Sequence, residues 1–121
     1  MKGQYQRQDV GGYIIKALQS LGGSASRKTI KEEIVADDSN DISYEHVFEP
    51  ISSKNGTLYI PFTMDFNFGL VNLHNCNYIE DYGRGGDITL TETGRTIDYM
   101  EFPTKEDQII MRSYWDKKHK E

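Results

Sequence analysis

The sequence predicts an α+β fold in which three helices are followed by a β-hairpin, with one additional helix at the C-terminus. Three observations predict it. Helical apolar spacing recurs over 10–21, after Ser26 and over about 65–76. A glycine-rich tip, Gly83-Arg84-Gly85-Gly86, separates two short β-type runs. The chain's 121 residues leave room for one core rather than two.

The elements follow in order. Residues 1–9 have no periodicity and are expected to fray. Val10, Ile14, Ala17, Leu18 and Leu21 make one helical stripe, and Gly22-Gly23 stops it, which sets the first helix at 10–21. Ser26 can cap a second helix whose apolar positions are Ile30, Ile34 and Val35, and the polar run Asp37-Asp38-Ser39-Asn40-Asp41 ends it. Tyr44 to Ile51 reads either as a short helix or as irregular chain. Asn55-Gly56 is a hairpin turn signal, with a brief strand expected over 57–60. Phe66, Gly69, Leu70, Leu73 and Cys76 make the buried side of a third helix at about 65–76, and Asn77 is a left-handed terminator. Tyr78–Tyr82 and Asp87–Leu90 then form the hairpin. A helical turn from Thr91 runs to about Met100, Phe102-Pro103 breaks it, and Thr104 caps a last helix reaching Lys120. Glu106 and Asp107 at its start and Lys117, Lys118, His119 and Lys120 at its end complement the helix dipole.

Composition narrows the function classes. Fourteen Lys and Arg against 19 Asp and Glu leave a net charge of -5, so a nucleic-acid site needs a local patch. One cysteine, Cys76, excludes an internal disulfide, and three dispersed histidines make a Cys/His zinc site untenable. No apolar run approaches a membrane span, and the expected location is the cytoplasm with no membrane partner. No phosphate-cradling G-x-x-x-x-G-K-[ST] motif is present. His46 with Glu45 and Glu49 can be drawn as a metal cluster, but such groupings are common on surfaces. The expectation is therefore no enzyme, no catalytic residues, no metal and no cofactor.

Helix, helix, helix and hairpin wing is the order of a winged helix-turn-helix domain, here 10–100, with 104–120 as an extra helix for packing or dimerisation. Residues 10–98 also resemble the winged-helix domain at the N-terminus of Mrr-type restriction proteins. Leu73-His74-Asn75-Cys76-Asn77-Tyr78-Ile79 stands where those domains carry Leu, two polar residues, a small residue, Gly and two apolar residues. Arg84-Gly85 stands at the wing tip, and Leu90-Thr91-Glu92-Thr93-Gly94-Arg95 at the T-x-x-G-R exit from the wing. The run from Ala17 to Ile34 is similar as well. The resemblance implies recognition of DNA, not its cleavage, because no nuclease-sized segment accompanies it.

In such a domain the third helix enters the major groove and the wing reaches the neighbouring backbone or minor groove. Expected DNA-facing residues on the helix are Asn67, Val71, Asn72, His74 and Asn75. The asparagines suit bidentate contact with adenine, or they are simply tolerable surface residues. Arg27, Lys28, Lys31, Arg84 and Arg95 are the expected phosphate contacts, although Lys28 and Lys31 also read as a solvated face beside Glu32 and Glu33. Between Met64 and Tyr82 there is no Lys or Arg, a departure from Mrr-like domains that weakens the electrostatic case. The expected function is a small DNA-binding transcriptional regulator or DNA-recognition component, its partner double-stranded DNA, bound as a homodimer through the C-terminal helix. The alternative is an acidic winged-helix interaction module of phage or mobile-element type, binding a protein through Asp37, Asp38, Asp41 and the apolar residues of the third helix.

Overall fold

The computed structural model describes residues 5–120. The architecture is α+β, predominantly helical with two small antiparallel sheets. Helix α1 spans Val10–Ser20, strand β1 Ser24–Ala25, α2 Arg27–Ala36, α3 Tyr44–Phe48, β2 Ile51–Ser52 and β3 Leu58–Tyr59. They are followed by α4 at Pro61–Asn75, β4 at Ile88–Thr89, α5 at Glu92–Thr96 and α6 at Lys105–Lys120. No helix among the described residues is long and apolar enough to cross a membrane.

The core forms where α1 lies between α2 and α4. Val10, Ile14, Ile15 and Leu18 of α1 meet Ile30 and Ile34 of α2 and Phe62, Phe66, Leu70 and Leu73 of α4, all essentially sealed from solvent. Gly69 allows the close approach of α4 to α1, since a Cβ there would press on Ile14 Cδ1 at 3.1 Å and on the Gly11 nitrogen at 3.4 Å. Each Å2 of apolar surface that these side chains remove from water favours the folded chain by about 25 cal/mol.

Local chemistry sets the helix ends. The Ser26 hydroxyl accepts from the Thr29 amide at the start of α2. α4 begins at Pro61, four residues earlier than the apolar spacing alone predicts, because a proline in the first turn needs no amide donor and has the helical φ already. Its other end is a Schellman closure: Asn77 is left-handed at φ 64, the Tyr78 amide donates to the Leu73 carbonyl at 2.9 Å, and the Asn77 amide to His74 at 3.1 Å. The predicted helix over 91–100 is divided instead into α5 and a separate turn at Tyr99–Glu101. Gln19 Nε2 donates to the carbonyls of Gly94 at 3.0 Å and Ile97 at 2.9 Å, satisfying groups that a continuing helix would bond itself. The segment 44–51, left open by the sequence, is the short helix α3 leading into β2, and the Asn55-Gly56 turn joins β2 to β3.

The expected hairpin pairs over fewer residues than the sequence indicates, and its returning strand has a second partner. β4 pairs antiparallel with β1, Ser24 opposite Thr89 and Ala25 opposite Ile88. Tyr78–Glu80 adds along the other edge through the Ile79–Leu90 bridge and the Glu80 amide, which donates to Thr89 at 2.9 Å. Residues 81–87 form the tip of this ribbon.

Where the sequence predicts fraying over 1–9, residues 5–9 are docked. Tyr5 lies edge-on to Tyr13, His46 and Phe62, and its hydroxyl donates to Asp65 Oδ2 at 2.6 Å. An isolated aromatic without periodicity gives no sequence signal for this contact, which depends on where α3 and α4 come to lie. Residues 1–4 of that expectation fall outside the described residues.

Candidate nucleic-acid interface

Helix α4 is covered on two sides and open on a third. Its core side meets α1, and a second side meets α6, which runs antiparallel to it. Trp115 stacks on Phe68 with ring centroids 4.9 Å apart and donates from Nε1 to Asn72 Oδ1 at 2.8 Å. Nearer the start of α6, the buried Asp107 carboxylate accepts from the Tyr78 hydroxyl at 2.9 and 3.0 Å and from the Thr104 amide at 3.0 Å, while the Asp107 amide donates to Thr104 Oγ1. This reciprocal Thr104–Asp107 cap anchors α6 beside the end of α4.

The open side carries Met64, Asn67, Val71 and His74, spaced three or four residues apart. α4 itself puts no acidic residue on this side, where the exposed Asp81 of the ribbon reaches His74. The only carboxylate on α4, Asp65, is turned aside to Tyr5 and to Arg7, whose Nε lies 3.1 Å from Asp65 Oδ1. Burial first, then the Asp65 bond, push the Tyr5 hydroxyl well above its ordinary range, so it remains a donor.

The predicted site residues separate into three groups. Asn67 and Lys28 are exposed as expected, and Arg84 stands exposed at the ribbon tip. Val71 is half-buried at the rim of the α4–α6 groove. The others are corrected by their contacts. Asn72 is 1% exposed and holds Trp115, so it faces α6 rather than a base. Asn75 is half-buried, its amide nitrogen enclosed and without an acceptor among the described residues. His74 is exposed, but its Nε2 is engaged at 2.6 Å by Asp81, and its ring meets Tyr82 edge-on.

The cations are similarly redistributed. Arg27 donates to the Gly86 carbonyl at 3.0 Å and the Gly83 carbonyl at 2.9 Å, so it braces the ribbon tip against α2. Lys31 lies over the Phe66 ring at 4.9 Å, and burial, then the Arg27 charge, lower its pKa. Arg95 donates to the Gly22 carbonyl at 3.3 Å and covers the Gly22-Gly23 turn, away from α4. Cys76 is half-buried against Asp107, and burial, then that carboxylate, push its thiol up to about 12, leaving it unreactive at neutral pH. His46 Nε2 shares a hydrogen bond with the Tyr5 hydroxyl at 2.9 Å, and no group of three metal-ligating side chains exists among the described residues. Of the acidic residues Asp37, Asp38 and Asp41, Asp37 pairs at 2.6 Å with Lys16 of α1, which also lies over the Tyr99 ring.

Sequence reasoning missed the far edge of this surface. A groove of about 430 Å3 runs between α4 and α6, floored by Phe68 and Trp115 and rimmed by Met64, Asn67, Arg7 and His119. Arg7 sits in the segment predicted to fray, and Lys118 and His119 read as dipole-matching ends. The only signal was the spacing of Trp115 and His119 by one helical turn. Compared with protein-family models, curated proteins and solved structures, the chain matches none of them.

Proposed function

We propose that this chain is a winged helix that binds double-stranded DNA, with α4 as its recognition helix and the 78–91 ribbon as its wing. The order α1, β1, α2, α4, ribbon supports the fold, as does the pairing of β1 with the returning strand of the ribbon. The segment 37–60, with α3 and the β2–β3 hairpin, is then an insertion between the second and third helices. The observation that carries the binding reading is Asn67, exposed on the open side of α4, together with an exposed arginine at a glycine-rich tip; His74 on the same side is held by Asp81. Asn67 offers a base-edge donor and acceptor, and Arg84 a guanidinium able to enter a narrow minor groove. In an acidic protein, phosphate neutralisation has to come from few residues, so binding is weak per copy and steeply salt-dependent.

Two copies compensate for this. The outward face of α6 carries Ile109, 68% exposed, followed at one-turn intervals by Arg112 and Asp116, charges of opposite sign suited to pairing across a two-fold axis. Sedimentation of the purified protein tests the dimer. Electrophoretic mobility of a duplex tests the function: a shift that fades with salt and is lost in Arg84→Ala supports it, and an unshifted duplex refutes it.

A second reading has its own observation. Ile51, Leu58 and Tyr59 on the β2–β3 hairpin are exposed, as is Met64, which suits an interaction module that binds protein. Capture of a protein partner that survives nuclease treatment, with no duplex binding, favours this reading.

A further inference from the structure

We propose that Arg7, Lys118 and His119 form a second phosphate-contacting edge along α4, on the opposite side of the helix from the ribbon. The inference rests on the DNA-binding reading and names a part of that surface no sequence pattern indicated.

The placement follows from the antiparallel course of α6. Asp107 lies by Cys76 and Tyr78 at the end of α4, Trp115 by Asn72 and Phe68 in its middle, and His119 by Met64 and Asn67 toward its start. Twelve residues from Asp107 to His119 span about 18 Å, the same reach as α4 covers from Cys76 to Met64. The basic end of α6 is therefore carried back along α4 to a point the ribbon does not reach. Lys118 falls three residues after Trp115 on the face of α6 that bears Asp107 and Met111.

Charge at a helix C-terminus is explained by the dipole alone, and Lys117, which points to the other face, needs no further account. Arg7 does need one, because it belongs to a different element. Its guanidinium lies 4.4 Å over Phe68 and gives Nε to Asp65, while its terminal nitrogens meet no acceptor among the described residues and its side chain is 53% exposed. Asp65 and Phe68 thus hold a planar donor fork at the groove rim beside His119.

Scale gives this edge its target. Packed helices lie about 8–10 Å apart, and the major groove of duplex DNA is about 12 Å wide. With α4 centred in the groove, α6 cannot follow it in and comes down over the groove's edge, where the phosphates are. The ribbon, braced by Arg27, meets the backbone on the other side.

The test is the salt dependence of binding to a fluorescent mixed-sequence duplex of about 30 base pairs, long enough for two half-sites a helical turn apart. Anisotropy titrations between about 50 and 200 mM NaCl would compare the wild type with Arg84→Ala, Lys118→Ala, Lys118→Ala/His119→Ala, Arg7→Ala and Lys117→Ala. The expected result is a flattening of the log–log slope by about 0.9 for each phosphate no longer neutralised, in Lys118→Ala, Arg7→Ala and Arg84→Ala alike. Lys117→Ala removes the same charge at the margin of the proposed dimer face; sedimentation confirms that this variant still pairs, and its slope stays as it was. Circular dichroism and melting temperature confirm that the helix-end variants remain folded, and Lys118→Glu, expected to weaken binding beyond Lys118→Ala, provides an independent check. If Arg84→Ala flattens the slope but Lys118→Ala and Arg7→Ala do not, the second edge is wrong and the DNA reading stands. Equal effects of Lys117→Ala and Lys118→Ala overturn the edge in favour of bulk charge. No binding by the wild type overturns the DNA reading itself, and this edge with it.

Discussion

Asp107 is the point at which the C-terminal helix is attached, and its replacement has a cost that can be worked out. Asp107→Ala strands the Tyr78 hydroxyl, which donates to both carboxylate oxygens and belongs to a residue only 7% exposed. A buried donor left without an acceptor costs about 1–3 kcal/mol. Loss of the Thr104 amide's acceptor removes half of the reciprocal cap, about another 0.5–1 kcal/mol. The total is about 1.5–4 kcal/mol. With an unfolding entropy of about 2.1 cal/mol/K per residue, a chain of this length loses about 4 °C per kcal/mol, so the melting temperature drops by about 6–16 °C. Differential scanning calorimetry measures the drop, and a double-mutant cycle with Tyr78→Phe isolates the bond. Tyr78→Phe already removes the stranded donor, so the double variant is less destabilised than the sum of the singles, by about 1–2 kcal/mol. Strict additivity, or an Asp107→Ala variant that melts like the wild type, would refute the assignment of Asp107 as the anchor.

Other outcomes follow from single contacts. Gly94→Ala places a Cβ against the Tyr78 carbonyl, a backbone atom held in the ribbon by the Thr91 amide, and costs about 3 kcal/mol, read as a lower urea midpoint at unchanged slope. Cys76, with its thiol pushed up to about 12, reacts with a disulfide reagent at pH 8 about 1,000-fold more slowly in the native protein than in the urea-unfolded chain; equal rates would contradict its burial. The Lys16 hydrogen bond, then Ser39, hold the Asp37 carboxyl below its usual range. Its stabilisation is therefore complete above the ordinary carboxylate pKa of about 4 and is lost as pH falls through the lower folded value, and Lys16→Met removes that part of the acid sensitivity in a pH series of denaturant melts. Arg27→Ala frees the Gly83 and Gly86 carbonyls, so amide exchange at the ribbon tip quickens by about an order of magnitude while the core amides keep their protection.

The sequence by itself determined the elements whose signals are local. Apolar spacing located α1 and α2, and Ser26, Asn77 and Thr104 marked ends through hydrogen bonds within a few residues of themselves. Such features depend on neighbours in the chain, and so they can be read from it. Tertiary structure decided everything that depended on which surfaces meet. Ser24–Ala25 carries no strand signal of its own and is a strand because β4 returns to pair with it. Asn72 and Asn67 lie five residues apart on one helix and look alike in sequence, yet the arrival of Trp115 buries the first and leaves the second open. Arg27 and Arg95 were legible as charges, but not as donors to backbone carbonyls supplied by segments more than fifty residues away. Arg7 shows the converse: a residue with no pattern around it acquires a fixed place because Tyr5, Asp65 and Phe68 converge there. A side chain's type is set by the chain, whereas its exposure and its partners are set by packing, and the surface that meets a ligand is made of those.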